Sequence, residues 1–131
     1  YTLYYYLSSL SMNITITGVH IEVTEAIYDY ALQKMETLGK YLPKDDTSFR
    51  LVVELSKTNN HHAHGDIFQA EGRLHMRGKN VTLKTTEDDL YKSIDVLKDM
   101  LVRELAQYKD KERSIVRRGA HKVKALFKRL L

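Results

Sequence analysis

The sequence predicts an α+β domain, a two-layer sandwich of order β-α-β-β-β-α with a four-stranded mixed sheet and both helices on one sheet face. Four segments alternate apolar and polar residues with the two-residue period of a strand. Two longer segments repeat apolar residues at every third or fourth position, as a one-sided helix does. Because each helix offers a single apolar stripe, the economical packing covers one face of the sheet with both helices and leaves the other face polar and exposed.

The first strand and the first helix come early in this pattern. Residues 13–17 alternate isoleucine with polar side chains, and the strand ends at Gly18. Thr24 is placed to cap a helix over residues 25–41, which Pro43 then stops. Because a strand that follows a helical crossover joins its partner in parallel, the first and second strands should run in the same direction.

Three further strands are predicted to form antiparallel hairpins. Residues 49–57 and 67–77 place large apolar side chains on one face and polar side chains on the other. Between them, residues 58–65 form a polar connection rich in histidine and asparagine. Residues 78–80 are Gly-Lys-Asn, a tight-turn signal, and residues 81–85 continue as the fourth strand.

A second long helix is predicted from Leu90 to about Lys111. Residues 86–89 have the shape of a capping box with Asp in place of Glu, and their acids suit the positive end of a helix. Beyond Lys111 the apolar pattern weakens, and Gly119 interrupts it. Residues 114–131 are therefore predicted to form a conditional amphipathic helix that is disordered until it meets a partner.

Charge divides the 131-residue chain into unequal parts. The last eighteen residues hold six basic residues and no acid, whereas the first 113 hold fifteen Lys and Arg against seventeen Asp and Glu. This asymmetry indicates a polyanionic partner, either nucleic acid or an anionic membrane. We therefore divide the chain into a domain over residues 12–113 and a basic arm over residues 114–131. Residues 1–11 lack a basic n-region, and we interpret them as a non-native or disordered extension in preference to an edge strand.

Several classes of function find no support in the composition. The chain has no Cys, no nucleophile elbow, no phosphate-binding Gly-rich loop and no HExxH motif, and no apolar run approaches the ~20 residues that span a bilayer. His61, His62 and His64, with Asp66, form the densest cluster of potential metal ligands, but a solvated loop is the favoured interpretation. We expect no catalytic residue, metal or other cofactor; a metal-dependent hydrolase at this loop stays as a minor alternative.

Five short segments share their order and spacing with a known family. They are NITITG at 13–18, VTEA at 23–26, DLYKSID at 89–95, REL at 103–105 and KDK at 109–111. In combination they resemble the short form of the ribosome hibernation-promoting factor and ribosome-associated inhibitor A family, also called the sigma-54 modulation protein / S30EA family. The resemblance runs from Met12 to about Arg113.

This resemblance implies a monomeric, non-enzymatic stress or stationary-phase factor of the bacterial cytoplasm. Members of the family lie on the small ribosomal subunit, in the channel for messenger and tRNA, against 16S-type ribosomal RNA and the ribosomal proteins that line the channel. There they block translation and preserve idle ribosomes. Their fold is similar to double-stranded-RNA-binding domains, which recognise RNA by shape and phosphate contact. No cofactor and no small-molecule substrate are implied.

The resemblance also implies a set of RNA-binding residues. The family's basic ridge on the second helix maps to Arg103, Lys109 and Lys111. Lys57 and Lys92 fall where relatives also tend to be basic.

Further candidates come from the predicted geometry rather than from the family. The face of the predicted sheet adds three basic residues, Arg73, Lys79 and Lys84. The end of the second helix and the arm add Arg113, Arg117 and Arg118. Tyr91 and Tyr108, which lie nearest basic groups, are candidates for base stacking, although aromatic residues at helical spacing more often belong to the core.

The chain departs from the family where the second helix should be most basic. Met100 and Gln107 occupy positions that are often Lys in relatives, and Glu104 replaces a frequent Gln. A short basic arm takes the place of the dimerisation domain of long-form members. We therefore expect the arm to supply affinity that the helix has lost. The alternative function is an anionic membrane-surface module, because residues 117–131 form a basic amphipathic stretch.

Overall fold

The computed structural model of the protein describes residues 12–42, 48–59 and 65–130. Its four strands form one sheet in the order β1-β2-β3-β4. They are β1 (Met12–Val19), β2 (Phe49–Asn59), β3 (Asp66–Met76) and β4 (Lys79–Glu87), and the helices are α1 (Glu25–Glu36) and α2 (Leu90–Leu130). β1 lies parallel to β2, and the other neighbours are antiparallel. The predicted α+β fold and strand directions are confirmed.

The core lies between the sheet and the two helices. Along β2, Leu51, Val53 and Leu55 are fully buried, while the side chains between them are partly exposed. This is the two-residue alternation of a strand that has one covered face. α2 supplies Leu97 and Leu101 to the same core, and each such side chain stabilises the fold by about 1.5–3 kcal/mol.

The first helix begins as predicted and ends earlier. The Thr24 side chain accepts a hydrogen bond from the backbone N–H of Ile27 at 3.2 Å, which confirms the N-cap. After Glu36 the chain tightens into a 3₁₀ turn (Thr37–Tyr41), so the predicted helix over residues 25–41 is α-helical for only its first twelve residues. The expected stop at Pro43 lies outside the described residues, as does the interpretation of residues 1–11.

The start of the second helix corrects a prediction. Asp89 accepts hydrogen bonds from the backbone N–H groups of Tyr91 at 2.7 Å and Lys92 at 3.4 Å, so Asp89 itself is the N-cap. Thr86, the expected first residue of a capping box, still belongs to β4 and is paired with Gln69 of β3. The predicted capping box is wrong because the strand pairing of β4 continues to Glu87, which leaves only two residues between β4 and the helix.

The predicted end of the second helix near Lys111 is also wrong. α2 continues without a break to Leu130, a length of 41 residues. Good helix formers dominate this stretch, no proline occurs in it, and Gly119 alone costs only about 1 kcal/mol relative to alanine. From residue 115 onward every described side chain is exposed, so this part of α2 extends beyond the sheet.

Two close contacts fix α2 against the rest of the domain. A Cβ on Gly72 of β3 would lie 3.2 Å from Leu97, so the glycine allows the helix to approach the sheet. On the outer side, the Tyr30 hydroxyl of α1 donates a hydrogen bond to Asp95 at 2.6 Å, and its ring meets Tyr91 edge to face at 4.8 Å. The bond to Asp95 raises the pKa of Tyr30 to about 12, because it stabilises the neutral phenol.

Candidate nucleic-acid interface

The predicted RNA-binding residues of the sheet lie in ion pairs. On the exposed sheet face, Arg73 lies 3.9 Å from Glu54 and 3.4 Å from Glu71. Lys84, on the neighbouring strand, reaches the other carboxylate oxygen of Glu71 at 3.6 Å. These four side chains neutralise one another, and a phosphate would have to displace a carboxylate to bind either cation.

The same holds for the predicted basic residues at the ends of the sheet. The Lys57 ammonium group pairs with Asp66 at 3.1 Å. Lys79 pairs with Glu104 of α2 at 3.7 Å. Lys92 lies 3.5 Å from Glu87 at the end of β4. Exposed pairs of this kind contribute only about 0–1 kcal/mol to stability, but they lower the charge that the surface presents.

A second group of predicted residues carries its charge without such partners. Within the part of the chain that the structure describes, no ion pair involves five of these exposed cations, namely Arg103, Lys109, Lys111, Arg113 and Arg117. Arg118 donates a hydrogen bond to the Ser114 hydroxyl at 3.2 Å, which leaves its charge uncompensated. All six residues lie on α2.

The three residues of the expected basic ridge do not lie together. Positions two apart on a helix point about 200° apart, so Lys109 and Lys111 lie on opposite flanks of α2. Each lines a different groove beside the helix, and Arg103 lines neither. The cations of α2 that line the grooves therefore lie on two separate surfaces, one on each side of Tyr108.

The more cationic surface is a groove between the 3₁₀ turn and α2, here called the cationic groove. It has a volume of about 590 Å³. Its lining consists of Lys40, Tyr41, Leu42, Tyr108, Lys109, Glu112, Arg113, Val116 and Arg117. Four basic residues and one acid give this lining a formal charge of +3. The groove thus gathers three predicted residues, Lys109, Arg113 and Arg117, at one place.

Two tyrosine rings add an aromatic component to the cationic groove. The Tyr108 hydroxyl donates a hydrogen bond to the Arg77 carbonyl at 3.3 Å, and its ring packs edge to face against Phe49 at 6.0 Å. The Lys40 ammonium group lies 5.4 Å from the centre of the Tyr41 ring. Cationic side chains interleaved with aromatic rings are typical of surfaces that bind phosphates and stack bases.

Lys40 and Tyr41 were missed from the sequence. They stand about seventy residues before Arg113, and only the packing of the 3₁₀ turn beside α2 brings the two segments together. No local sequence motif marks this pair. To predict it, one would need to know which end of α1 packs beside α2, and the local sequence does not show this.

The second groove, of about 530 Å³, lies on the other flank of α2. Lys79, Lys111 and Arg77 line it together with Tyr108, which separates it from the cationic groove. Because Lys79 is tied to Glu104, this side presents less available charge.

The minor alternative of a metal site at the histidine loop lies largely outside the described residues. His61, His62 and His64 lie outside them, and Asp66 is engaged by Lys57. Across residues 12–42, 48–59 and 65–130, no three His, Asp or Glu side chains converge in a way that could hold a metal ion. Within the same ranges, no helix combines the length and the apolar character needed to cross a bilayer.

Comparisons with known proteins identify the family of this chain. A family model described as sigma 54 modulation protein / S30EA ribosomal protein matches residues 14–113. A ribosome hibernation promoting factor of Pseudomonas putida is 28% identical over 109 residues, which cover 83% of this chain and 98% of the relative. A ribosome hibernation promotion factor of Picosynechococcus is 34% identical over 100 residues, which cover 76% of this chain and 50% of the relative.

A solved structure shows the same fold. The crystal structure of the Thermus thermophilus Protein Y N-terminal domain superposes with a TM-score of 0.59 at 25% identity, covering 76% of this chain and 99% of that one. The resemblance drawn from the five short segments is confirmed. Because the family model spans most of the chain, this chain belongs to the sigma 54 modulation protein / S30EA ribosomal protein family.

Proposed function

We propose that this protein is a ribosome hibernation factor that binds the small ribosomal subunit in the channel for messenger and tRNA. Bound there, it blocks translation and preserves idle ribosomes of the cytoplasm by binding rather than by catalysis. Two relatives named as hibernation factors align with at least three quarters of the chain. The observation that carries the molecular part of the proposal is the cationic groove, where basic residues that have no carboxylate partner among the described residues lie beside two tyrosines.

The groove suggests how ribosomal RNA is held. Lys109, Arg113 and Arg117 follow one another along one side of α2 and can contact successive phosphates of a strand in the groove. Tyr41 and Tyr108 offer ring faces or edges to unstacked bases beside that backbone. The folded domain then occupies space that messenger and tRNA would need.

The continuous helix gives the basic arm a defined geometry. Residues 115–130 extend for about 24 Å as one helix that starts at the groove. Their cations are therefore carried along a rigid axis and can contact ribosomal RNA beyond the domain. This supports the expectation that the arm adds affinity to the weakened ridge at Met100, Glu104 and Gln107.

Phosphate binding of this kind has a characteristic salt dependence. If about six phosphates are neutralised, the logarithm of the binding constant falls with the logarithm of salt concentration at a slope of about −4 to −5. A slope near zero would mean that the unpaired cations of α2 do not contact RNA.

The direct test is co-sedimentation of the purified chain with small subunits on sucrose gradients. We expect binding to the empty subunit, loss of binding when messenger and tRNA are bound first, and inhibition of translation in vitro. Binding that is unchanged by bound messenger and tRNA would place the protein outside the channel, and absence of binding would remove the ribosome from the proposal.

A further inference from the structure

The part of α2 beyond the domain carries an apolar stripe that RNA binding does not use. We call residues 115–130 the free extension. Six large apolar side chains of this segment are between 52% and 80% exposed: Ile115, Val116, Val123, Leu126, Phe127 and Leu130. Val116 also lines the cationic groove, and contact with phosphates would account for the cations of this segment, but the four side chains at Val123, Leu126, Phe127 and Leu130 would stay in water.

The apolar and basic side chains of the free extension occupy separate sides of the helix. With 100° between successive residues, the six apolar side chains fall within an arc of about 120°. Gly119 lies inside this arc, and the six basic side chains all lie outside it. The stripe continues the line of Leu101 and Leu105, which are buried against the sheet. The same face of α2 is thus covered in the domain and uncovered in the free extension.

Charge decides what can cover the stripe. The free extension holds six basic residues and no acid. Two copies packed stripe to stripe would bring twelve positive charges together, which disfavours self-association. The surface that fits must offer an apolar interior bordered by negative charge.

We propose that the free extension binds the surface of an anionic phospholipid bilayer, with its axis in the plane of the membrane. The stripe would lie at the boundary between head groups and acyl chains. Lys122 and Arg129 border the stripe on one side and Lys124 on the other, and their long side chains can reach lipid phosphates while the helix lies flat. Because all these side chains are already exposed on a formed helix, binding requires no rearrangement of the domain.

The stripe distinguishes this surface from a merely basic one. A polybasic segment without apolar side chains binds anionic lipid by charge alone, at about 1 kcal/mol per cation. The free extension should need both components, because Leu126 and Phe127 would enter the bilayer between the cations. Removal of the apolar side chains should therefore weaken binding even when all the cations remain, and removal of cations should weaken it even when the stripe remains.

The test is flotation of the full chain with phosphatidylcholine vesicles that contain or lack phosphatidylglycerol. We expect the chain to float with the anionic vesicles and to remain at the bottom with the neutral ones. The double variant Leu126→Ser, Phe127→Ser keeps every charge and should lower partitioning about 100-fold. The double variant Lys124→Gln, Lys128→Gln keeps the stripe and should lower it about 30-fold.

A gain-of-binding variant separates the stripe from general stability. Gly119 has open space around it, so Gly119→Leu completes the stripe and should raise partitioning about tenfold. Gly119→Ala, the control, improves helix propensity with little added apolar surface and should have a smaller effect. Co-sedimentation of the Leu126→Ser, Phe127→Ser variant with small subunits verifies that the domain is intact.

Four results would overturn the proposal. They are absence of flotation with anionic vesicles, equal flotation with neutral vesicles, full flotation of the Leu126→Ser, Phe127→Ser variant, and concentration-dependent dimers in analytical ultracentrifugation that this variant abolishes. The last result would identify a second copy of the chain as the occupant of the stripe. The third would reduce the interaction to charge alone.

Discussion

The two halves of α2 both carry an amphipathic pattern, but only the first half buries its apolar side chains. Residues 90–108 bury their apolar stripe against the sheet, and Leu97, Leu101 and Leu105 are fully buried there. Residues 109–114 carry no apolar side chain, but the stripe resumes on the same side of the helix at Ile115, and there Val123 and Leu126 are more than half exposed. An amphipathic pattern therefore specifies a helix and its apolar face, whereas the available sheet determines whether that face becomes core.

The halves also differ in what surrounds their cations. Lys92 and Lys98 in the first half lie close to carboxylates, at 3.5 Å from Glu87 and 3.4 Å from Asp99. In the second half, acids end at Glu112 and the basic residues stand alone. Two of the three cations in the first half are thus compensated, the exception being Arg103, whereas the described cations beyond Glu112 have no acid on the same stretch of helix.

The largest expected effect tests the difference in burial. Leu101→Ala should lower the free energy of unfolding by about 2–5 kcal/mol, because it opens a cavity in the core. Leu126→Ala, the same substitution in the second half, should change it by less than about 0.5 kcal/mol. Denaturant titration followed by circular dichroism measures both values. An equal loss at the two positions would mean that residues 115–130 pack against the domain in solution.

The next effect tests the difference in charge. The triple variant Lys109→Gln, Arg113→Gln, Arg117→Gln should weaken binding to small subunits about 100-fold, because three unpaired cations of the groove lose their phosphate contacts. Its salt slope should become shallower by about 2–3. Affinity is measured by co-sedimentation across a range of salt concentrations.

A matched variant controls for net charge. Lys57→Gln, Arg73→Gln, Lys84→Gln removes the same three charges from cations that are paired in the structure, and we expect less than about a threefold loss of affinity. Equal losses in the two triple variants would show that net charge, and not the unpaired state of the groove cations, determines binding.

The difference between the halves also explains what the sequence could predict. Alternation and helical spacing predicted each strand and both helices, because local periodicity reports which residues can share a covered face. The end of α2 was misplaced because loss of burial weakens the apolar pattern without ending the helix. Lys40 and Tyr41 were missed because their proximity to Arg113 depends on how distant segments pack. The RNA-binding roles predicted for Lys57, Arg73 and Lys84 did not take account of carboxylates on neighbouring strands. The strand register places these carboxylates beside the cations, and the sequence alone does not give that register.

A smaller effect concerns the bond that joins α1 to the first half of α2. Tyr30→Phe keeps the ring against Tyr91 and removes the hydrogen bond to Asp95, at a cost of about 1 kcal/mol near neutral pH. The pKa of Tyr30 is raised from 10.0 to about 12 in the folded protein, so its stabilising effect is complete below pH 10 and is lost as pH rises towards 12. Denaturant titrations should therefore show that the unfolding free energies of the original chain and of the Tyr30→Phe variant become equal between pH 10 and 12. A difference in unfolding free energy that stays constant over this interval would contradict the role of Asp95.

The smallest expected effect comes from a substitution that removes the carboxylate partner of Lys79. Glu104 holds Lys79 at 3.7 Å. Glu104→Gln releases the Lys79 ammonium group beside Lys111, so the second groove gains charge that can contact phosphate. We expect about a threefold gain in affinity for small subunits and a salt slope steeper by about 0.7–0.9, the value for one added phosphate contact.

The control for this variant is Glu104→Gln combined with Lys79→Gln, which should return the affinity and the slope to those of the original chain. A gain that persists in the double variant would mean that removing the acid acts through the overall field of α2. In that case the ion pair between Lys79 and Glu104 would not limit RNA binding. The difference between paired and unpaired cations would then matter only in the cationic groove.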